Sequence, residues 1–341
     1  MRAQGLIFTL LFVLLTPSLE ARGKNLDWRL ESQMSGHYYH WGESQLPEAL
    51  QPAKRQQAGY LRTSLSHSGW FADLWLASNR NPQDGDQSWH PEVDELYYDF
   101  TLESEGPTVE MTLGEKSLHW DYGFLALPLN WLGPGNDRST TRHQADPLIL
   151  AETYQGMTVF QSVCAWVDTA EEAQKHEDLC LLRSQGFVGK GEWQLLAGYQ
   201  EDWLAGLGLA WTLTPALASY ASASWKEQEE DEKALEALVG MTWASAQGLE
   251  VRAEHFWGNT DAALLRLSWN PNDWTWVAGF NHQELQEPLQ IYELGMEYQL
   301  NSSAQLELNY FSYHPEGRPG ATQLNQEINL RLTYTTAGQL N

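Results

Sequence analysis

Positions 293–300 read ELGMEYQL, positions 304–310 read AQLELNY, and positions 327–334 read EINLRLTY. In each stretch an apolar residue alternates with a polar or ionised one. A period of two places successive side chains on opposite faces of a β-strand. Each strand therefore has one apolar face and one face with charge at mid-strand, which is typical of a membrane β-barrel with lipid outside and water inside.

The same alternation recurs along the chain and predicts an all-β fold of about 18 strands, within a range of roughly 16–18. Most separators after even-numbered strands are short turns, such as Ser68-Gly69 and Ser302-Ser303, whereas most of the others are longer and polar. This alternation predicts a single antiparallel up-and-down transmembrane β-barrel with its short turns in the periplasm. The predicted strands cover 26–40, 55–66, 70–79, 94–104, 108–120, 148–155, 157–167, 178–187, 192–200, 203–213, 216–226, 233–244, 248–257, 261–269, 273–282, 290–300, 304–312 and 326–335.

The N-terminus has the pattern of a secretory signal peptide. Arg2 precedes an apolar run over 5–15, and Ala21 provides a small residue before the expected cleavage point. No later apolar run is long enough for a transmembrane helix, so a membrane-embedded chain must be a closed barrel. We expect residues 1–21 to be removed and residues 22–341 to form one barrel in the outer membrane of a Gram-negative bacterium, inserted by the barrel-assembly machinery.

The aromatic content and the net charge of the chain limit the environments and binding partners that suit it. The chain has 17 Trp, and several lie beside turns, as Trp269 and Trp274 do. They predict an interfacial girdle, although the core or a sugar-stacking surface of a soluble β-sandwich is the alternative. The net charge of −25 argues against binding to nucleic acid. A negative charge of this size is expected on solvated external loops, which divalent cations can bridge to lipopolysaccharide.

Charged residues at mid-strand positions are expected to line a water-filled lumen. A dry core could not hold so many ions without near-complete pairing. The alternative is the solvated face of a flat soluble sheet. The predicted lumen-facing residues are Arg62, Asp99, Arg252, Glu254, Arg266, Glu293, Glu297, Glu307 and Arg331, with Asp73, Glu95, Glu103, Arg183 and Glu250 in the same pattern.

The longest separator, 121–147, is the third long loop. In general porins this loop folds into the lumen and narrows it. If it does so here, its charged residues form a basic constriction in an acidic barrel, which favours anions or zwitterions. The alternative is an exposed loop whose charges only solvate it, and the sequence leaves both open. The candidate constriction residues are Asp137, Arg138, Arg142 and His143.

Residues 113–124 read LGEKSLHWDYGF. This stretch resembles a motif of bacterial outer-membrane barrels, including alginate-export-like porins, in which a Gly-Arg-Gln-like start is followed by Trp-Gly-x-Gly. The resemblance covers roughly 113–150 and implies a porin-type barrel. A lumen more acidic than the arginine-rich lumen of those porins argues against a polyuronate solute. The matching residues are Gly114, Lys116, Trp120 and Gly123, and the departures are Glu115 and Asp121.

Three further features are local. Cys164 and Cys180 flank an acidic segment, which predicts a disulfide in an oxidising compartment, with two free buried thiols as the alternative.

Hydrolase, zinc and EF-hand motifs are absent from the sequence, so we expect no catalytic residue, metal or cofactor. The last strand is predicted to end near Tyr334, with 335–341 as a tail.

Three functional hypotheses follow. The leading one is a porin-like channel for small hydrophilic or oligomeric solutes, with 121–147 as its constriction. The second is a non-conducting outer-membrane barrel with a structural, assembly or surface-binding role. The third is a secreted, Trp-rich carbohydrate-binding β-protein. The sequence leaves the solute and the oligomeric state open.

Overall fold

The computed structural model describes residues 26–41, 55–80, 87–103, 106–124, 126–132, 146–168, 176–227, 235–258, 260–284, 288–315 and 324–340. In these ranges 18 antiparallel strands form one sheet that closes on itself. Over the same ranges, no helix is both long and apolar enough to span a membrane. The strands are β1 (Leu26–Trp41), β2 (Arg55–His67), β3 (Trp70–Arg80), β4 (Gln87–Leu102), β5 (Val109–Glu115), β6 (Pro147–Gln155), β7 (Thr158–Asp168), β8 (His176–Val188), β9 (Gly191–Gln200), β10 (Asp202–Thr214), β11 (Leu217–Lys226), β12 (Leu235–Ala244), β13 (Leu249–Trp257), β14 (Asp261–Trp269), β15 (Trp274–Glu284), β16 (Leu289–Asn301), β17 (Ala304–Pro315) and β18 (Leu324–Leu340).

Closure occurs between the first and last strands. β1 pairs with β2 on one side and with β18 on the other. Leu26 lies opposite Leu340, and Trp28 lies opposite Gly338. Every strand therefore has two hydrogen-bonded neighbours, and the sheet has no free edge. The prediction of a single up-and-down barrel is confirmed, and the β-sandwich alternative is wrong.

The outer face of the barrel is apolar. Met34, Leu182 and Leu294 are 72%, 63% and 59% exposed on it. Exposed tryptophans occupy both ends of the strands, where indole rings favour the boundary between hydrocarbon and headgroups. Trp211, Trp243, Trp269 and Trp276 lie toward the short turns, and Trp166, Trp203, Trp225 and Trp257 lie toward the long loops.

Several strands are longer than predicted, and two of them are extended by five residues or more at one end. β4 begins at Gln87 rather than at 94, and β18 runs to Leu340 rather than ending near Tyr334. Both extensions have weak alternation: the first contains Pro91, and the second contains Thr and Gly. The adjacent strands determine where β4 and β18 end. Backbone hydrogen bonds from β4 to β3 and from β18 to β1 continue beyond the point where the side-chain alternation stops.

β5 is shorter than predicted, and this difference shapes the lumen. The strand expected over 108–120 ends at Glu115 and is only seven residues long. Gly114 has φ +127°, and a Cβ there would lie 2.2 Å from the carbonyl oxygen of Leu96. Only glycine tolerates that backbone and that approach. The chain then leaves the barrel wall.

The hydrophobic core lies inside the barrel, against the inner faces of β6–β10. Residues after β5 pack there on inward-facing side chains that are almost completely buried. The barrel interior beside these strands is therefore filled by packed apolar side chains. The core consists of Leu118, Trp120, Leu129, Leu132, Leu148, Leu150, Val163, Ala165, Leu179, Leu181, Leu196 and Leu204, with Trp131 packed against it.

The two cysteines lie on the opposite, outer side of the same wall. Cys164 and Cys180 are paired residues of β7 and β8, and the structure joins them in a disulfide. Their neighbours Val163 and Leu181 point inward into the core. The bond thus links adjacent strands next to the separator 169–175, on the face directed to lipid.

The buried position of Leu129 generates a stability prediction. Its side chain is fully buried in the core, so Leu129→Ala should leave a cavity and lower the free energy of unfolding by about 2–5 kcal/mol. Denaturant titration of the protein in detergent, followed by heat-modifiable gel migration, measures the change. Leu182→Ala on the lipid face is the matched control, and a similar loss there would contradict this account because detergent fills that space.

Candidate functional site in the lumen

Residues 116–124 and 126–132, here called the crossing segment, run through the barrel interior. At the start of the segment, Ser117 N donates to Glu95 Oε1 on β4 at 2.8 Å. Near its far end, the Phe124 ring centroid lies 4.9 Å from the Arg266 guanidinium on β14. β14 lies opposite β5, with eight strands between them in each direction. The segment therefore spans the full width of the lumen.

Asp121 organises the centre of the crossing segment. Its Oδ1 accepts hydrogen bonds from Tyr122 N at 2.7 Å and from Ser222 Oγ on β11 at 2.8 Å. Its Oδ2 accepts from Leu129 N at 2.7 Å, which ties the outgoing and returning parts together. A hydrogen bond to a charged group contributes about 1.5–3 kcal/mol. Asp121, which departs from the barrel motif, therefore holds the two parts of the crossing segment together.

Phe124 is held on the far wall. Its backbone N donates to both carboxylate oxygens of Glu254 at 3.0 and 3.1 Å, and the hydroxyl of Tyr220 also donates to that carboxylate. The guanidinium groups of Arg252 and Arg266 lie 5.2 and 4.9 Å from the Phe124 ring centroid. Cation–π attraction and the hydrogen bonds together anchor the segment to β11, β13 and β14.

The middle of the crossing segment is attached to β8 and β9. Gln194 donates to the carbonyl oxygen of Trp120 and accepts from Arg183 Nε at 3.0 Å. The Arg183 guanidinium lies 5.4 Å from the Trp120 ring. Tyr122 Oη donates to Glu192 Oε1 at 2.9 Å. Burial, and after it this hydrogen bond to a carboxylate, raises the pKa of the Tyr122 phenol, so it remains a donor at neutral pH.

Gly123 permits the close approach of the segment to the wall. A Cβ at this position would lie 2.1 Å from the carbonyl oxygen of Ala126 and 2.4 Å from Leu238 Cδ2 on β12. The matching glycine of the barrel motif therefore has a steric role here. Any side chain would force the segment away from β12.

The apolar core inside the barrel is indicated by a feature of the sequence other than alternation. Residues 148–151 read LILA and residues 179–182 read LCLL. In these runs both faces of the strand are apolar, which indicates burial on both sides. One face belongs to the apolar exterior of the barrel, and the other meets the crossing segment.

The remaining wall, formed by the inner faces of β14–β18 and β1–β4, is here called the polar half-lumen. Its bases pair with carboxylates one or two strands away. Arg62 Nη2 bonds to Asp73 and lies 3.5 Å from Asp94 Oδ2. The other distances are 3.6 Å for Arg266–Glu293 and 3.4 Å for Arg331–Glu307. Further carboxylates, among them Glu297, Glu31 and Glu95, give the wall an acidic excess.

The predicted site residues fall into three groups. Arg62, Asp99, Arg266, Glu293, Glu297, Glu307 and Arg331 lie on the inner face of the polar half-lumen. Arg252 and Glu254 also face inward but contact the crossing segment, and Glu254 is only 4% exposed. Asp137, Arg138, Arg142 and His143 lie outside the described residues.

Sequence reasoning missed the residues that hold the segment, chiefly Gln194, Ser222 and Tyr220. They are uncharged and alternate like other wall residues, so only their contacts reveal them. In the described part of the chain, no cluster of three or more His, Cys, Asp or Glu side chains could hold a metal ion.

The closed 18-stranded wall, its apolar exterior and the crossing segment inside the lumen define the class of structure: a porin-type β-barrel with a divided interior. Comparison with protein-family models and with curated protein sequences finds no match.

Solved bacterial barrels have the same fold. OccAB4 of Acinetobacter baumannii is 9% identical with a TM-score of 0.64, and the match covers 92% of this chain and 98% of that one. OccK5 of Pseudomonas aeruginosa is 13% identical with a TM-score of 0.62, with the same coverages. Wzi of Escherichia coli, an outer-membrane protein involved in group 1 capsule assembly and a carbohydrate-binding β-barrel, is 11% identical with a TM-score of 0.63, covering 94% and 86%. At these identities the likeness shows the fold.

The hydrogen bonds of Asp121 generate a testable prediction. Asp121→Ala removes the acceptor of Leu129 N and Ser222 Oγ. Amide hydrogens of residues 121–132 should then exchange roughly tenfold to a hundredfold faster, as the loss of one or more charged hydrogen bonds implies. Hydrogen exchange with mass spectrometry measures this. Asp202→Ala at the end of β10 is the control, and unchanged protection in Asp121→Ala would contradict the assigned role.

Proposed function

We propose that this protein is a bacterial outer-membrane channel that passes small hydrophilic solutes through the polar half-lumen. The observation that carries the proposal is the division of the interior. The crossing segment and its core fill the side next to β6–β10, whereas the wall of β14–β18 and β1–β4 carries ionised side chains of both signs. Such a wall favours water and polar solutes. Transport without catalysis is part of the proposal.

The membrane location is inferred from the exterior and the N-terminus. The apolar outer face between two belts of tryptophan suits a bilayer bounded by lipopolysaccharide. Residues 1–21, which lie outside the described residues, are proposed to be a cleaved signal peptide, and residues 22–341 to be the mature barrel. Insertion would require the barrel-assembly machinery, as for other closed outer-membrane barrels.

Fractionation tests this location. The protein expressed with its own N-terminus should appear in the outer-membrane fraction, shortened by cleavage near Ala21, and should migrate faster in gels when unheated. The closed sheet is the reason, because a hydrogen-bonded barrel resists detergent until it is heated. A fully soluble product would contradict the proposal and favour a secreted carbohydrate-binding protein.

The third long loop, 121–147, is proposed to form the constriction, although residues 133–145 lie outside the described residues. The described part of the loop is still inside the barrel at Leu132, which is 3% exposed in the core. The next described residues are Asp146 and Pro147, where β6 begins. The charged residues proposed for this constriction are Asp137, Arg138, Arg142 and His143, and their net positive charge would favour anions or zwitterions.

Planar-bilayer recording tests the channel and the constriction together. The wild-type protein should give stepwise conductance, and Arg138→Ala or Arg142→Ala should raise the K⁺/Cl⁻ permeability ratio. Removal of one positive charge near a permeating ion is worth about 1 kcal/mol in water, or roughly fivefold. Lys190→Ala in the β8–β9 turn is the charge-matched control. Equal reversal potentials for all variants would contradict the constriction.

A second candidate function is a non-conducting barrel that binds a surface polymer. The observation in its favour is the number of attachments on the crossing segment, which joins β4, β8, β9, β11, β13 and β14. A segment fixed at so many points resembles a plug as much as a constriction. The likeness in fold to Wzi is compatible with this role. Silent bilayers containing correctly folded protein would favour it over the channel.

A further inference from the structure

Two adjoining cavities open on the polar half-lumen at the short-turn end of β1–β4. Their volumes are about 340 and 370 Å³, and both are lined by Asp27, Ser66 and Phe71. The first also touches Glu31 and Glu95, and the second also touches Tyr97 and Asp99. Because they share lining residues, they form one continuous hollow, here called the β1–β4 hollow, large enough for a small organic molecule.

An aromatic surface forms one side of the hollow. The rings of Phe71 and Tyr97 are stacked, with centroids 4.9 Å apart and an interplanar angle of 23°. Both lie on the inner face, in register on adjacent strands β3 and β4. The negative face of an aromatic ring attracts a cation or an apolar chain, and it does not attract an anion.

Carboxylates surround this aromatic surface. Asp99 is 47% exposed, and Asp27, Glu31 and Glu95 line the same hollow. Asp73 is already engaged by Arg62 and is buried. Two bases also line the hollow: Arg62, and Arg29, whose Nη2 lies 3.1 Å from Glu31 Oε2. The five lining carboxylates outnumber these two bases, so the hollow combines aromatic rings with a net negative charge, which is the chemistry that recognises an organic ammonium ion.

The chain itself places an ammonium group at the edge of this arrangement. Lys116 Nζ lies 4.4 Å from the Tyr97 ring centroid and 3.3 Å from Asp99 Oδ1. It also donates to Thr112 Oγ1 at 3.4 Å. One ring and one carboxylate thus already hold a primary ammonium in contact geometry. Lys116 is 25% exposed, so the position remains accessible from the lumen.

A similar arrangement occurs next to the hollow. The Arg62 guanidinium lies 4.9 Å from the Trp75 ring centroid, and the Trp75 ring packs at a tilt against Tyr60, with centroids 4.3 Å apart. Asp94 Oδ2 accepts from Trp75 Nε1 at 3.2 Å and lies 3.5 Å from Arg62. Cation, ring and carboxylate therefore recur along the wall of β2–β4, in the direction a solute would travel.

We propose that the β1–β4 hollow binds small organic molecules that carry primary ammonium groups, with Tyr97 and Asp99 as its principal contacts and Lys116 as an internal competitor. The inference rests on the proposed channel for its place in transport, since the hollow would be the first or last stop on the pathway. Binding itself does not depend on conduction. The charge distribution selects amines over anions, and the aromatic pair accepts a short aliphatic chain.

Three probes of equal chain length test the selectivity: 1,4-diaminobutane, 1,4-butanediol and succinate. Isothermal titration of the full mature barrel in detergent should show binding of the diamine and no binding of the diol or the dianion. Asp99→Asn should lower the affinity for the diamine about tenfold, because one charge contact is lost, and Tyr97→Leu should lower it about threefold, because one cation–π contact is lost. Lys116→Met should raise this affinity by a few-fold, because the substitution removes the competing ammonium group.

Glu250→Gln is the matched control. This carboxylate lies on β13 across the lumen and is 42% exposed. The Glu250→Gln variant should have an unchanged affinity for the diamine, and heat-modifiable migration should confirm that every variant is folded. Equal binding of diol and diamine would overturn the proposal in favour of a general polyol site. The absence of diamine binding by folded protein, or an unchanged affinity in Asp99→Asn, would overturn it outright.

Failure of this site and failure of the channel are distinguishable. Diamine binding with silent bilayers would support the site and contradict the channel. Stepwise conductance without diamine binding would support the channel and overturn the site.

Discussion

Closure of the sheet between β1 and β18 is the constraint on which the rest of the molecule depends. In hydrocarbon an unpaired backbone N–H or C=O costs several kcal/mol, so a sheet can be stable there only if every strand has two partners. Pairing from Leu26–Leu340 along both strands meets this requirement. Closure also creates an interior that lipid cannot reach, and that interior must be filled either by side chains or by water.

This chain does both. Behind β6–β10 the inward side chains are apolar and the crossing segment covers them. Behind β14–β18 and β1–β4 they are charged and pair across strands in a solvated space. A few polar contacts maintain the division: the Asp121 carboxylate in the centre and the Glu254 carboxylate on the far wall. These contacts lie in an enclosed interior, where an ionised group without donors would be costly.

The short β5 links the wall to the site. A strand that ended at 120, as the pattern predicts, would hold Lys116, Leu118 and Trp120 in the wall. Because β5 ends at Glu115, these residues enter the lumen. Trp120 then joins the dry core, and Lys116 comes to lie over Tyr97 on the wet side. One strand end thus separates an apolar residue from a basic one only four positions away.

Most of the wall could be predicted from the sequence alone: the strand number, the face of each strand and the side of the barrel with short turns. These features follow from a period of two and from local turn residues, which act over a few positions. The end of β5, the extension of β18 and the filling of one half of the lumen could not be predicted in this way. They depend on partners far away in the chain, as in the contacts of Asp121 with Ser222 and of Phe124 with Glu254. Alternation determines which way a side chain points, and only the closed tertiary structure decides what it meets there.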